Sequence, residues 1–183
     1  MPLTDMIAEL RTLPPSCGPV RVIAVDGPSG AGKTTFAGRL GAALSAQVIG
    51  SDQFPHPWDA EPLAWWPALA SQILQPLSIG RTARFRPYDW RHDAYGPEIT
   101  VRAADFLIIE GVGAAGRQSP AAYRIWVTAP ADLRRRRVIA RDGSSYAAAW
   151  DAWTLREQAY FASDGTPDRC NLHVCGTSPP GRL

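Results

Sequence analysis

From Val20 to Thr35 the chain reads VRVIAVDGPSGAGKTT, and this stretch decides the fold. Val20 to Val25 is a β-branched apolar run of the length of a buried strand. The next residues satisfy G-x-x-x-x-G-K-[ST] at every required position, through Gly27, Gly32, Lys33 and Thr34. Lys33 to Ala46 then has the spacing of a helix. Strand, glycine-rich turn and helix in that order are the setting in which this motif holds phosphate. Small residues (Gly27, Ser29, Gly30, Ala31, Gly32) let backbone N–H groups close around phosphate oxygens, and the helix start adds positive potential. Lys33 is placed to reach the β- and γ-phosphates, the Thr34 hydroxyl to ligate Mg²⁺, and Thr35 to join the nucleotide site. The expected ligand is a nucleoside triphosphate.

The same loop holds the chain's one lysine: of 19 basic residues, every other is arginine. A compact ammonium does there what a planar guanidinium cannot. That count also excludes a GTPase, whose guanine-recognition element Asn-Lys-x-Asp needs a further lysine. With 183 residues the chain is short for a helicase or motor and fits a single domain over 1–183. A hydrophobic content of 45% with 20% charged residues supports a packed core over disorder. Nineteen basic against 17 acidic residues, a net charge of +2, argues against nucleic acid or membrane as the main partner. Cys17, Cys170 and Cys175 are odd in number and lack metal-type spacing, so a reducing cytoplasm is the expected setting. No apolar run approaches the roughly 18 residues of a bilayer span, and Met1 to Arg11 lacks a signal layout. Homo-oligomerisation stays open.

Outward from the loop, Thr4 to Leu13 reads as a short helix ended by Pro14-Pro15. Gln47 to Gly50 is a second strand leading into Ser51-Asp52. Phe54 to Trp66 is rich in proline and tryptophan, and Pro62 to Gln75 reads as a helix. Arg81 to Arg102 contains two short extended segments around Tyr88-Asp89-Trp90. Further strands are expected at Asp105 to Ile109, Tyr123 to Thr128 and Asn171 to Cys175, and helices at Ala131 to Asp142 and Tyr146 to Ala162. Apolar strands alternating with helices predict an α/β fold: a five-stranded parallel sheet between helical layers, with ligands at the strands' carboxyl ends.

Several stretches together resemble one family. DGPSGAGKTT (26–35), Ser51-Asp52-Gln53-Phe54, Pro87-Tyr88-Asp89-Trp90, Ile109-Glu110-Gly111 and DLRRRRVIARD (132–142) are similar to the uridine kinase-like branch of P-loop kinases, in particular a short actinobacterial-type subgroup. The resemblance spans most of Val20 to Cys175. It implies a P-loop sandwich with an acceptor-side insertion at about 54–102 and a small helical lid at about 131–146. It also implies transfer of the γ-phosphoryl group of ATP or GTP, with Mg²⁺, to a nucleoside 5′-hydroxyl.

The family's site residues carry over position by position. Asp52 matches the acid that contacts the acceptor hydroxyl and acts as base; a carboxylate there suits that chemistry, and the alternative is a loop cap. Glu110 matches the acid after the third strand, which supports the metal or the acceptor; the alternative is a solvated strand end. Tyr88 and Trp90 match the element that shapes the nucleoside pocket, with Phe54 beside them. In the family a histidine follows after two further residues, whereas here Arg91 alone intervenes and His92 comes one position early; His92 is divided between a substrate contact and a surface loop histidine. Arg134, Arg137 and Arg141 share one helical face and match the lid. Arg137 and Arg141 are thereby assigned to charge neutralisation on the transferring phosphoryl, and Arg134 to the nucleotide, in a register that stays open. Arg135 and Arg136 point elsewhere, and a solvated charged face is the alternative. Trp58, Trp65, Trp66, Phe85 and Trp90 are divided between substrate stacking and core. Trp150, Trp153 and Tyr160 are expected to pack, and Asp26 to accept structural hydrogen bonds. Asn171 to Thr177 matches the strand and loop that border the adenine. The acceptor of second choice is a nucleotide, a sugar-like metabolite or an antibiotic hydroxyl, and the different-class alternative is a nucleotide-binding regulator.

Overall fold

The computed structural model describes residues 3–57 and 59–177, so Trp58 lies outside the described residues. Helix α1 (Leu3–Thr12) precedes strand β1 (Arg21–Asp26), and α2 (Lys33–Leu44) follows the glycine-rich loop. Strand β2 (Gln47–Gly50) comes next. Helical residues then run through α3 (Trp66–Leu69), a π turn at Ala70–Leu74 and α4 (Gln75–Ser78). This segment starts later than the Pro62 expected from sequence, because residues 62–65 form turns instead. The π turn lies just before Pro76, which has no N–H to give to the helical ladder.

Four short strands follow: β3 (Ala83–Phe85), β4 (Tyr88–Asp89), β5 (Ala94–Tyr95) and β6 (Ile99–Val101). They pair antiparallel as β3 with β6 and β4 with β5, one hairpin nested in the other. Two extended segments were expected here. Their partners are too short for a period-2 pattern to show. Strands β7 (Phe106–Glu110) and β8 (Tyr123–Thr128), helices α5 (Ala131–Asp142) and α6 (Ala147–Asp164), and β9 (Leu172–Cys175) follow among the described residues.

The main sheet has the order β2-β7-β1-β8-β9, and every pairing in it is parallel. All five residues of β7 and five of the six in β1 are buried, as apolar runs covered on both faces require. Successive side chains divide between two cores. Val22, Ala24, Leu107 and Ile109 face Trp65, Leu69, Ile73 and Leu77. Ile23, Val25, Ile108 and Ile125 face Met6, Leu10, Phe36 and Leu40 of α1 and α2. This is the predicted α/β class with five parallel strands. Among the described residues no helix is long and apolar enough to cross a membrane. Asp26, Gly50 and Glu110 end β1, β2 and β7, so the phosphate loop and both candidate acids lie along the sheet's carboxyl edge.

Candidate active site

The loop 27–34 bends where glycine permits it. Gly30 has φ of +78°, and a Cβ there would stand 2.6 Å from the Arg134 carbonyl oxygen. Gly32, left-handed at φ 105°, precedes the first residue of α2. Lys33 is buried and its Nζ folds back along the loop to donate to the Pro28 carbonyl at 3.2 Å. Thr34 and Thr35 are exposed at the helix start. Asp26 is fully buried and accepts N–H bonds from Gly27 (2.7 Å), Ala115 (2.8 Å) and Gly113 (3.1 Å), joining the phosphate loop to the loop after β7. Burial pushes its pKa up to about 6 against the pull of those amides and Lys33.

Glu110 is buried beside the loop, and its Oε1 accepts the Thr34 hydroxyl at 3.1 Å. Gly50 makes room for it: a Cβ at that position would lie 2.9 Å from Oε1. Burial raises the Glu110 pKa above the usual range and the Asp52 charge adds to this, while Lys33, the Thr34 hydroxyl and Arg141 oppose it. Asp52 sits on a single 3₁₀ turn, Ser51–Gln53, after β2. It is exposed, yet its charge acts on both Glu110 and Arg141, so the three groups lie near one another at the sheet's carboxyl edge. Among the described residues no three His, Cys, Asp or Glu side chains converge as a full metal cage. One buried carboxylate beside a threonine hydroxyl is the sparse oxygen set that suits Mg²⁺, which keeps water and phosphate as its other ligands.

The three arginines on the shared face of α5 meet different partners. Arg141 is exposed, grips Asp142 through Nε (2.7 Å) and Nη2 (2.8 Å), and feels Asp52 and Glu110. Arg137 donates from Nη1 to the Gly30 and Ala31 carbonyls (3.2 and 3.4 Å) and from Nη2 to the Gly176 carbonyl (2.9 Å). It therefore ties the phosphate loop to the segment after β9. Arg134 departs from its expected nucleotide contact. It is buried, its Nη1 donates to the Ser29 carbonyl and to Glu157 Oε1 at 3.1 Å each, and its guanidinium lies over the Trp150 ring. A helix running so close to the loop leaves the first arginine of the stripe underneath it.

Phe54 is likewise corrected. It is buried in the core, stacked on Phe85 at 5.5 Å and packed against Trp65, so it does not reach a substrate. Trp65 and Phe85 are core too, and Trp66 packs partly buried against Trp65. Tyr88 and Trp90 stay accessible, and with Gln53, Pro87, Asp89 and Arg91 they line an open groove of about 450 Å³. Trp90 links the groove to Asp52, since its Nε1–H donates to the Asp52 carbonyl at 2.6 Å. His92 is exposed outside that wall, its Nδ1 2.7 Å from Asp89 Oδ2.

Glu157 escaped sequence reasoning. It is fully buried in α6, where Oε2 accepts the Ser29 N–H (2.9 Å) and the Trp153 indole N–H (3.1 Å). The buried stripe Trp150, Trp153, Thr154, Glu157, Phe161 held the signal, a single carboxylate at core spacing on an otherwise mostly apolar face.

Two solved structures share the fold. One, described as a possible uridine kinase from Bacillus stearothermophilus, has a TM-score of 0.64 at 17% identity over 94% of this chain and 96% of that one. The other, a candidate fructose transport system kinase from Silicibacter sp. TM1040, has a TM-score of 0.66 at 18% identity over 94% and 98%. The fold is that of the P-loop kinases. No protein-family model and no curated protein matches the chain.

Proposed function

We propose that the chain is a P-loop small-molecule kinase that moves the γ-phosphoryl group of ATP or GTP to a hydroxyl, with a nucleoside as the first choice of acceptor. The observation that carries this is the convergence of Lys33, the Thr34–Glu110 pair, Asp52 and Arg141 on one cleft beside an accessible aromatic groove. The loop amides and Lys33 hold the triphosphate. Thr34 and Glu110 would hold Mg²⁺, whose charge offsets that of the phosphates when it is bound. Asp52 accepts the acceptor's hydroxyl proton and orients the oxygen in line. Residues 131–146 act as the lid, from which Arg141 swings off Asp142 to neutralise charge on the moving phosphoryl group, while Arg137 steadies the loop. Tyr88 and Trp90 flank the acceptor, and the insertion 54–102 builds that side of the cleft. The two structural relatives are described as a possible uridine kinase and a candidate fructose transport system kinase, and those names are in keeping with a hydroxyl acceptor.

The test is incubation with ATP, Mg²⁺ and a pooled panel of nucleosides, nucleotides and hydroxylated metabolites, read by mass spectrometry. A phosphorylated nucleoside that is absent with Lys33→Ala is the expected result. Nucleotide binding with no phosphorylated product from any panel member would favour a non-catalytic nucleotide-binding regulator instead.

A further inference from the structure

Ser29 lies inside the phosphate loop, and each of its polar groups is held from outside the loop. Its N–H goes to Glu157 Oε2 at 2.9 Å, its carbonyl accepts Arg134 Nη1 at 3.1 Å, and its hydroxyl accepts the Trp153 indole N–H at 2.8 Å. Three residues from two helices, α5 and α6, thus fix one residue and the peptide units on either side of it. Ser29 matters because it leads into Gly30, whose φ is positive and from which the loop closes towards α2. The carboxylate at the centre has no exposed surface, and both its oxygens are occupied, Oε1 by Arg134 and Oε2 by Ser29 and Trp153.

An unpaired carboxylate under a triphosphate site would repel the ligand. Arg134 cancels it, which leaves Lys33 and Arg137 as the cations at the loop. A buried ion pair is a poor source of net stability, because desolvation offsets most of the attraction. Apolar side chains of similar size would fill the same space as well. What they could not do is accept the Ser29 N–H and orient the loop before a ligand arrives, and preorganisation of this kind raises affinity.

We propose that Glu157 is a positioning residue for the nucleotide, holding the phosphate loop in its binding shape through the Ser29 peptide, with Arg134 as counter-ion and Trp153 as the second donor. This rests on the assignment of the loop as a triphosphate site, and the experiment keeps the two apart. ATP with Mg²⁺ is titrated calorimetrically into the full chain and into Glu157→Ala and Glu157→Gln, well below each protein's unfolding temperature. Failure of the wild type to bind would overturn the triphosphate site itself. Given wild-type binding, Glu157→Ala is expected to bind about tenfold more weakly or worse. Glu157→Gln should recover part of that loss, since its amide oxygen still accepts the Ser29 N–H while its NH2 group cannot accept from Arg134. Wild-type affinity in a folded Glu157→Ala would overturn the proposal, and so would a Gln variant as weak as the Ala variant. Tryptophan emission gives a second readout should the Ala variant fail to fold. The ATP-induced change is expected to be largely lost in Trp153→Phe, and an undiminished change would sink the coupling between clamp and loop.

Discussion

Lys33 and Glu110 are both buried at the cleft, but they act on different partners, and single substitutions separate them. Lys33 packs along a loop whose shape is fixed by other contacts, so Lys33→Ala should keep the fold while transfer falls about a hundredfold or more, measured as turnover beside a circular dichroism melt. Asp52 is exposed and its carboxylate supports no core contact. Asp52→Asn should therefore bind ATP normally by calorimetry and still lose transfer; near-normal transfer would remove Asp52 from its role as base. Glu110 receives the Thr34 hydroxyl directly. Glu110→Gln should raise the Mg²⁺ concentration for half-maximal transfer about tenfold, read from a magnesium titration at fixed ATP. At this scale the sequence named Lys33, Thr34, Asp52 and Glu110, because a motif or strand end fixes each position along the chain. It misplaced Phe54 and Arg134, whose surroundings come from distant residues: Trp65 and Phe85 for one, Glu157 and the Ser29 carbonyl for the other.

The elements around the loop touch it at backbone distance. A Cβ on Gly176, just past β9, would stand 1.8 Å from the Ala31 carbonyl oxygen, and Arg137 bridges the same two segments. Gly176→Ala must push the β9 end away from the phosphate loop. The expected outcome is a loss of about 1–3 kcal/mol in urea denaturation, together with weaker nucleotide binding. Helix α5 shows why a helical stripe is an incomplete guide to function. Arg134, Arg137 and Arg141 do lie on one face, but the phosphate loop crosses only its first half. The first two arginines meet loop carbonyls, and only Arg141 reaches the charges of the cleft. Spacing along a helix sets direction, whereas what stands opposite is a tertiary matter. The nested hairpins between residues 83 and 101 were legible only as irregular, because each strand has two or three residues.

Across the whole molecule, Asp26 couples the phosphate loop to the loop after β7 from a fully buried position. Its pKa of about 6 in the fold lies above the ordinary 3.8, so between those values the native state binds more protons than the unfolded chain. The stability it contributes is complete below about pH 4 and is lost as pH rises towards 6. Urea midpoints measured across that range should fall in the wild type relative to Asp26→Asn, and an unchanging difference between the two would remove Asp26 as the cause. Nucleotide binding should oppose unfolding in turn: ATP at a hundred times its dissociation constant adds about 2.7 kcal/mol, visible as a raised melting temperature that Lys33→Ala lacks. The sequence by itself determined the parallel α/β sheet and the phosphate loop, since both rest on local patterns: apolar runs of strand length and small residues at fixed offsets from Lys33. Only the tertiary structure decided which arginine faces the cleft, which aromatics are core, and that Glu157 braces Ser29 across 128 residues of chain. Those outcomes depend on which surfaces meet once the sheet is covered, and no short window of residues contains both partners.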